Sequence, residues 1–205
     1  MRLDTVHDVQ SAYRRLVRAT SYPGTIVDVS HEAAKIDLDT GLAGTLLLLA
    51  VMLLDAEVEF AIDAPAAPDA ATTIAQLTYG HEVGQDRAGY VFLPASGDGS
   101  TSTAATHAIG RARIGTLTEP HLGATVVLEV PSLGADRTSG TGTRIVLTGP
   151  GIEDETILAL GGATEWIEAR EGRNQEYPLG IDVILYTAHG DLVSLPRTTR
   201  IEREV

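Results

Sequence analysis

The chain of 205 residues contains no cysteine. Disulfides, thiolate catalysis, zinc–thiolate sites and cysteine-bound iron–sulfur clusters are therefore excluded. A cytoplasmic location is compatible with that. Lysine is almost as scarce, and Lys35 stands alone. Basic residues number 15 against 28 acidic ones, for a net charge of −13. Such a chain is not expected to bind nucleic acid non-specifically, because that binding depends on basic patches neutralising phosphates. Nor is it drawn to an anionic membrane surface. Long apolar runs are missing too. The longest block, Leu42 to Leu54, stops at Asp55, short of the roughly 20 residues of a membrane span. It reads as a core helix. Met1-Arg2-Leu3-Asp4 leads into polar residues, so no signal peptide is read there.

Several catalytic signatures are absent as well. The six histidines form no His-Glu-x-x-His pattern, and no two lie three or four residues apart on an expected helix, so no metal site is expected. There is no Gly-x-Ser-x-Gly elbow and no Gly-x-Gly-x-x-Gly after a strand. The Ser/Thr/Gly-rich stretch from Ala95 to Ala105 lacks the Lys-Ser/Thr ending of a phosphate-binding loop and reads as a surface connection.

What is present suits a sizeable core. The hydrophobic fraction is 43% and the charged fraction 21%, which predicts one folded domain over residues 1–205. Asp8 is the expected cap of a first helix whose buried stripe is Val9, Tyr13, Leu16, Val17 and Thr20. Arg14, Arg15 and Arg18 fall on its other side, as a solvated face. A short strand is expected over 25–29 and a polar loop over 31–39. Strands follow at 57–62, 88–93 and 124–130, with a helix over 71–81. The run Arg144–Thr148 is expected to return as a hairpin partner of 124–130 across the Gly/Ser/Thr loop 132–143. Residues 155–160 read as short or irregular, and Ala163, Trp166, Ile167 and Arg170 mark a last helix.

The strongest local signal is the final hairpin. Tyr177-Pro178-Leu179-Gly180-Ile181-Asp182-Val183-Ile184-Leu185-Tyr186 is largely apolar after its first residues, as in a strand buried on both faces. Ala188–Asp191 is a tight turn, and the return run stops at Pro196, which cannot donate to a ladder. Asp182 and Arg197 interrupt this framework, and an antiparallel hairpin brings them to the same end. They form either a structural ion pair or backbone-bonded caps, or else a ligand or partner contact, and residue chemistry does not choose. These elements together predict an α/β fold, a mixed sheet covered by helices on both faces.

The order of several motifs adds a family resemblance. Tyr13-Arg14-Arg15-Leu16 and Pro23-Gly24 come first, then Gly123-Ala124-Thr125 and Leu147-Thr148-Gly149-Pro150-Gly151-Ile152. Tyr177-Pro178-Leu179-Gly180-Ile181-Asp182 and Leu195-Pro196-Arg197-Thr198-Thr199 close the series. In this order the chain resembles the PhnH family, whose members belong to the bacterial carbon–phosphorus lyase system of phosphonate degradation. The resemblance implies a three-layer α/β/α fold like that of pyridoxal-phosphate-dependent transferases, without the cofactor. It implies a homodimer in isolation and a core complex with the PhnG, PhnI and PhnJ proteins. With PhnG, PhnI and PhnL, a PhnH protein takes part in forming ribose 1-phosphonate 5-triphosphate from ATP and a phosphonate. PhnJ then cleaves the carbon–phosphorus bond on its iron–sulfur cluster. No catalytic residue comes with the resemblance. The expected anion or subunit contacts are Arg197, Arg200 and Asp182, with the free amides of the Gly149–Gly151 turn. A pyridoxal enzyme would have to use Lys35 for its aldimine, and that lysine sits in an early polar stretch.

Overall fold

A computed structural model describes residues 2–95, 101–135 and 142–204. In chain order the helices and strands are α1 (His7–Ser21), β1 (Val27–Asp28), α2 (Ser30–Ala33), α3 (Gly44–Leu53), β2 (Glu59–Ile62), α4 (Ala70–Thr78), β3 (His81–Glu82), β4 (Tyr90–Leu93), α5 (Thr101–Arg111), β5 (Thr125–Glu129), β6 (Leu133–Gly134), β7 (Thr143–Thr148), β8 (Thr156–Leu160), α6 (Trp166–Arg173), β9 (Asp182–Tyr186), β10 (Asp191–Leu195) and β11 (Arg200–Arg203). They build two sheets. The larger has the order β1-β10-β9-β5-β4-β2-β3, and the smaller β11-β7-β8-β6.

The large sheet is mixed. Strands β9, β5, β4, β2 and β3 run parallel, while β10 and β1 extend it antiparallel beyond β9. Both its faces are covered, which explains why its central strands are almost wholly apolar. Val91, Leu93, Val126, Leu128, Val183 and Leu185 point to one side, where α5, α6 and the small sheet pack. Phe92, Val127, Ile184 and Tyr186 point to the other, against α1, α3 and α4. Helix α3 is apolar all round because α1, α2 and α4 enclose it. No helix among the described residues is long and apolar enough to cross a membrane.

The expected α/β class with a mixed sheet is therefore observed, with several corrections. Strands β5 and β7 do not form a hairpin. β5 lies between β4 and β9 in the large sheet, and β7 lies between β8 and β11 in the small one. The stretch read as short or irregular is strand β8, paired with β7 along five residues. Residues 101–105, read as connection, open helix α5; residues 96–100 of that stretch lie outside the described set, as do 136–141 of the later loop. Residues 31–33 of the expected polar loop are helical, within α2.

The first helix also differs in detail. Its buried residues are Ala12, Leu16 and Ala19, and Tyr13 and Val17 remain 48% and 47% exposed. Its capping side chain is Asp4, which accepts from the Val6 and His7 amides at 2.9 Å. Asp8 sits one turn later and accepts from the Asp4 amide and from Lys35. The pair forms a reciprocal cap. Arg15 leaves the solvated face to bind buried Glu32 at 2.6 Å.

Candidate functional site

The parallel strands β2, β4, β5 and β9 open at their amino ends on one cleft of about 470 Å3. Glu59, Tyr90, Thr125 and Asp182, the first residues of these strands, line it, together with Arg113, His121 and Arg197. A second cleft of about 280 Å3 continues past Tyr90, Thr125 and Asp182 toward α1, where Tyr13, Leu16 and Val17 form its apolar side. A third, of about 260 Å3, lies behind Arg197 and is lined by Arg170, Glu171, Arg200 and Glu202.

The hairpin β9–β10 places the two expected charges at one end. Its register pairs Tyr186 with Leu192 and Val183 with Leu195, so Asp182 and the residues after Leu195 meet. Arg197 donates to Asp182 Oδ1 through its backbone amide at 2.7 Å and to Oδ2 through Nη2 at 2.7 Å. A longer bond runs from Nε to Oδ1 at 3.3 Å. Nη1 donates to the carbonyls of Pro120 and Pro178 at 2.9 and 3.3 Å. The side chains are 16% and 30% exposed. This is a bidentate pair with both Nη1 donors also occupied. It ties two separate loops, through Pro120 and Pro178, to the hairpin exit.

Two residues that attracted no functional reading reinforce this exit. Arg170 of α6 is 1% exposed and donates to the carbonyls of Thr199 at 3.1 Å, Pro196 at 2.6 Å and Leu195 at 3.4 Å. Burial lowers its pKa to about 10, while the charges of Asp182 and Glu171 act the other way. Asn174 mimics a strand: its side chain donates to the Ile181 carbonyl at 3.1 Å and accepts the Ile181 amide at 2.8 Å. An arginine in the apolar stripe of an expected helix is the available signal for the first, since burial of that charge demands partners.

The other expected contacts are distributed. Arg200 is exposed at the start of β11 and shares the third cleft with Arg197. Gly149 and Gly151 line none of the three clefts. Gly149, at φ +133°, lies under the Thr198 carbonyl, where a Cβ would approach within 2.8 Å. The turn therefore packs against the hairpin exit and the end of α1. At the opposite, carboxyl edge of the sheet, the buried Tyr186 phenol donates to Glu129 at 3.0 Å, and Glu129 also accepts the Ala95 amide. Burial first, then the Glu129 charge, raises the Tyr186 pKa well above its ordinary value. Lys35 donates to Asp8 at 2.7 Å and lines none of the clefts, so the residues present do not fit a pyridoxal aldimine. Among the described residues no cluster of three or more histidine and carboxylate side chains is arranged to hold a metal ion.

Comparison with known proteins agrees with the ordered motifs. The family model described as bacterial phosphonate metabolism protein (PhnH) matches residues 2–202. A protein of Stutzerimonas stutzeri, provisionally named C-P lyase subunit protein HtxG, is 32% identical over 193 residues, covering 94% of this chain and 85% of that protein. The PhnH component of the alpha-D-ribose 1-methylphosphonate 5-triphosphate synthase of Rhizobium meliloti (strain 1021) is 33% identical over 92 residues, covering 44% and 42%. With the hairpin exit, the glycine turn and the α1 motif all inside the matched span, the chain belongs to the PhnH family of bacterial phosphonate metabolism proteins.

Proposed function

We propose that the chain is a non-catalytic subunit of a carbon–phosphorus lyase core complex, built to assemble with other subunits. Its partners in this reading are PhnG, PhnI and PhnJ, with PhnL joining for the step in which a phosphonate displaces adenine from ATP. Alone it pairs with itself, in the cytoplasm, as a single domain over residues 1–205. Its fold is related to that of pyridoxal-phosphate-dependent transferases without the cofactor. The observation that carries the reading is the occupation of the hairpin charges. Asp182 and Arg197 have the chemistry of a site, yet their polar atoms are engaged by each other and by loop carbonyls. The relatives named above are themselves named as subunits. The exposed Tyr13 and Val17, beside the apolar side of the second cleft, offer a surface for association.

Co-expression with affinity-tagged PhnG, PhnI and PhnJ is the test. Retention of the chain through a salt wash is expected. A chain that stays monomeric in sedimentation and is not retained overturns the proposal.

A further inference from the structure

The cleft at the amino ends of the parallel strands contains a cation that the hairpin does not use. Arg113 follows α5 on a backbone held in three places. Its carbonyl accepts the Ala124 amide at 2.8 Å, and the Ile114 carbonyl accepts the Gly180 amide at 3.0 Å. The Ala112 carbonyl accepts the Arg173 guanidinium. The Arg113 side chain is treated in the opposite way. Its Nε is buried without a hydrogen-bond partner, as are those of Arg170 and Arg173, but unlike theirs its Nη atoms donate to no described residue, and no described carboxylate lies within ion-pair distance. The guanidinium rests over Gly89, where a Cβ would come within 3.1 Å of Nη2.

Arginine stays charged and offers five N–H donors in a fixed fork. The Nη donors are not buried and face the open cleft, so they are free to exchange water for an anionic acceptor that arrives from outside. Other donors stand around the same space: His121, the Thr125 hydroxyl and the Tyr90 phenol. Burial raises the Tyr90 pKa, so the phenol keeps its proton at neutral pH. The acids of the cleft are mostly occupied, Glu59 by Arg87 at 2.7 Å and Asp182 by Arg197. With Glu57 they make the rim repel a chain of phosphates but leave one anionic head group room on Arg113.

We infer that this cleft binds a small tetrahedral oxyanion, a phosphate or phosphonate head group, through Arg113 seated on Gly89, with His121, Tyr90 and Thr125 as further donors. The inference rests on the subunit reading only for the choice of a phosphonate as probe. Calorimetric titration of the full chain with methylphosphonate, inorganic phosphate, acetate and ATP tests it. Saturable binding of methylphosphonate or phosphate is expected, the tighter of the two naming the source, with acetate and ATP about tenfold weaker or worse. Arg113→Gln should weaken the tetrahedral anions by about tenfold or more. Gly89→Val should do the same by displacing the guanidinium, and Arg200→Ala should not. Methylphosphonate should also protect Arg113, and not Arg200, from phenylglyoxal in the unsubstituted chain, a readout that survives if a variant fails to fold. No saturable binding, unchanged affinity in a folded Arg113→Gln, unprotected Arg113, or acetate binding as tightly as methylphosphonate overturns the inference. Retention of Arg113→Gln by the tagged partner proteins is expected whichever way binding falls, so loss of the site and loss of the assembly role are read separately.

Discussion

Two regions border the same cleft and treat their arginines in opposite ways. At the hairpin exit, Arg170 and Arg197 give their donors to Asp182 and to five carbonyls of the chain itself. Across the cleft, the Arg113 backbone is held while its guanidinium has no partner among the described residues. The difference teaches how to read a charge near a cavity. A guanidinium whose Nη atoms bond the chain's own acceptors is part of the framework and should be missed first by stability. One that bonds no acceptor of the chain, on a rigid platform, should be missed first by a ligand.

Substitutions at these positions sharpen or break that contrast. The largest loss should come from Arg170→Ala, which leaves three acceptors bare inside the core. On the order of 3 kcal/mol or more is expected from the unpaired carbonyls and the vacated volume, read as a lower urea midpoint. A midpoint within error of the parent would break the comparison. Arg197→Ala should follow, at about 2 kcal/mol, because Asp182 loses its cation and two loops lose their tether. Loss of complex assembly or solubility should appear before any loss of turnover. Normal assembly with lost turnover would move Arg197 from framework to chemistry.

Tyr186→Phe, at the far edge of the sheet, should cost about 1 kcal/mol by leaving Glu129 one donor short. It also carries a pH signature. The Tyr186 pKa is raised in the folded state, so its contribution is complete below the ordinary value of 10 and declines as pH rises past it. Burial of Arg170 works in the opposite direction, because its folded-state pKa is lowered to about 10 and the folded state gives up that proton first. Melting temperatures between about pH 9 and 11, taken as differences between parent and Tyr186→Phe, isolate the tyrosine. The parent should lose the larger share, and parallel curves would count against it. Smallest of all should be the stability change of Arg113→Gln, within about 0.5 kcal/mol of the parent. A large drop in its midpoint would place Arg113 with the framework after all.

Legibility in the sequence follows burial. Strand β9 and helix α3 are readable because enclosure on every side writes itself as a continuous apolar run. The Asp182–Arg197 meeting is readable because a short hairpin turn dictates its register. The small sheet is not. Strand β8 follows Glu153-Asp154-Glu155, which masks its start, and the proximity of β5 and β7 in the chain suggests a pairing that the parallel order forbids. Helix α5 hides in small residues, although Ala105, Ala108, Ile109 and Ala112 carry the i, i+3, i+4, i+7 spacing of one buried face. Tyr13 and Val17 read as core because size and hydropathy do not say which apolar residues stay outside. Arg113 has no local signal at all. Its standing depends on which partners other segments fail to supply, and that is a property of the assembled fold.

The crossover from β5 to β9 contains β6, β7 and β8, yet their sheet is closed at its edge by β11, which comes only after β10. The chain therefore cannot finish the small sheet as an independent early unit. Its last strand is delivered through residues 196–199, which are held by Arg170 and Arg197 once β9 and β10 are in place. In kinetic terms, the distant pairings of β1 with β10 and of β7 with β11 each close a long loop, which should slow folding relative to a fold of local contacts.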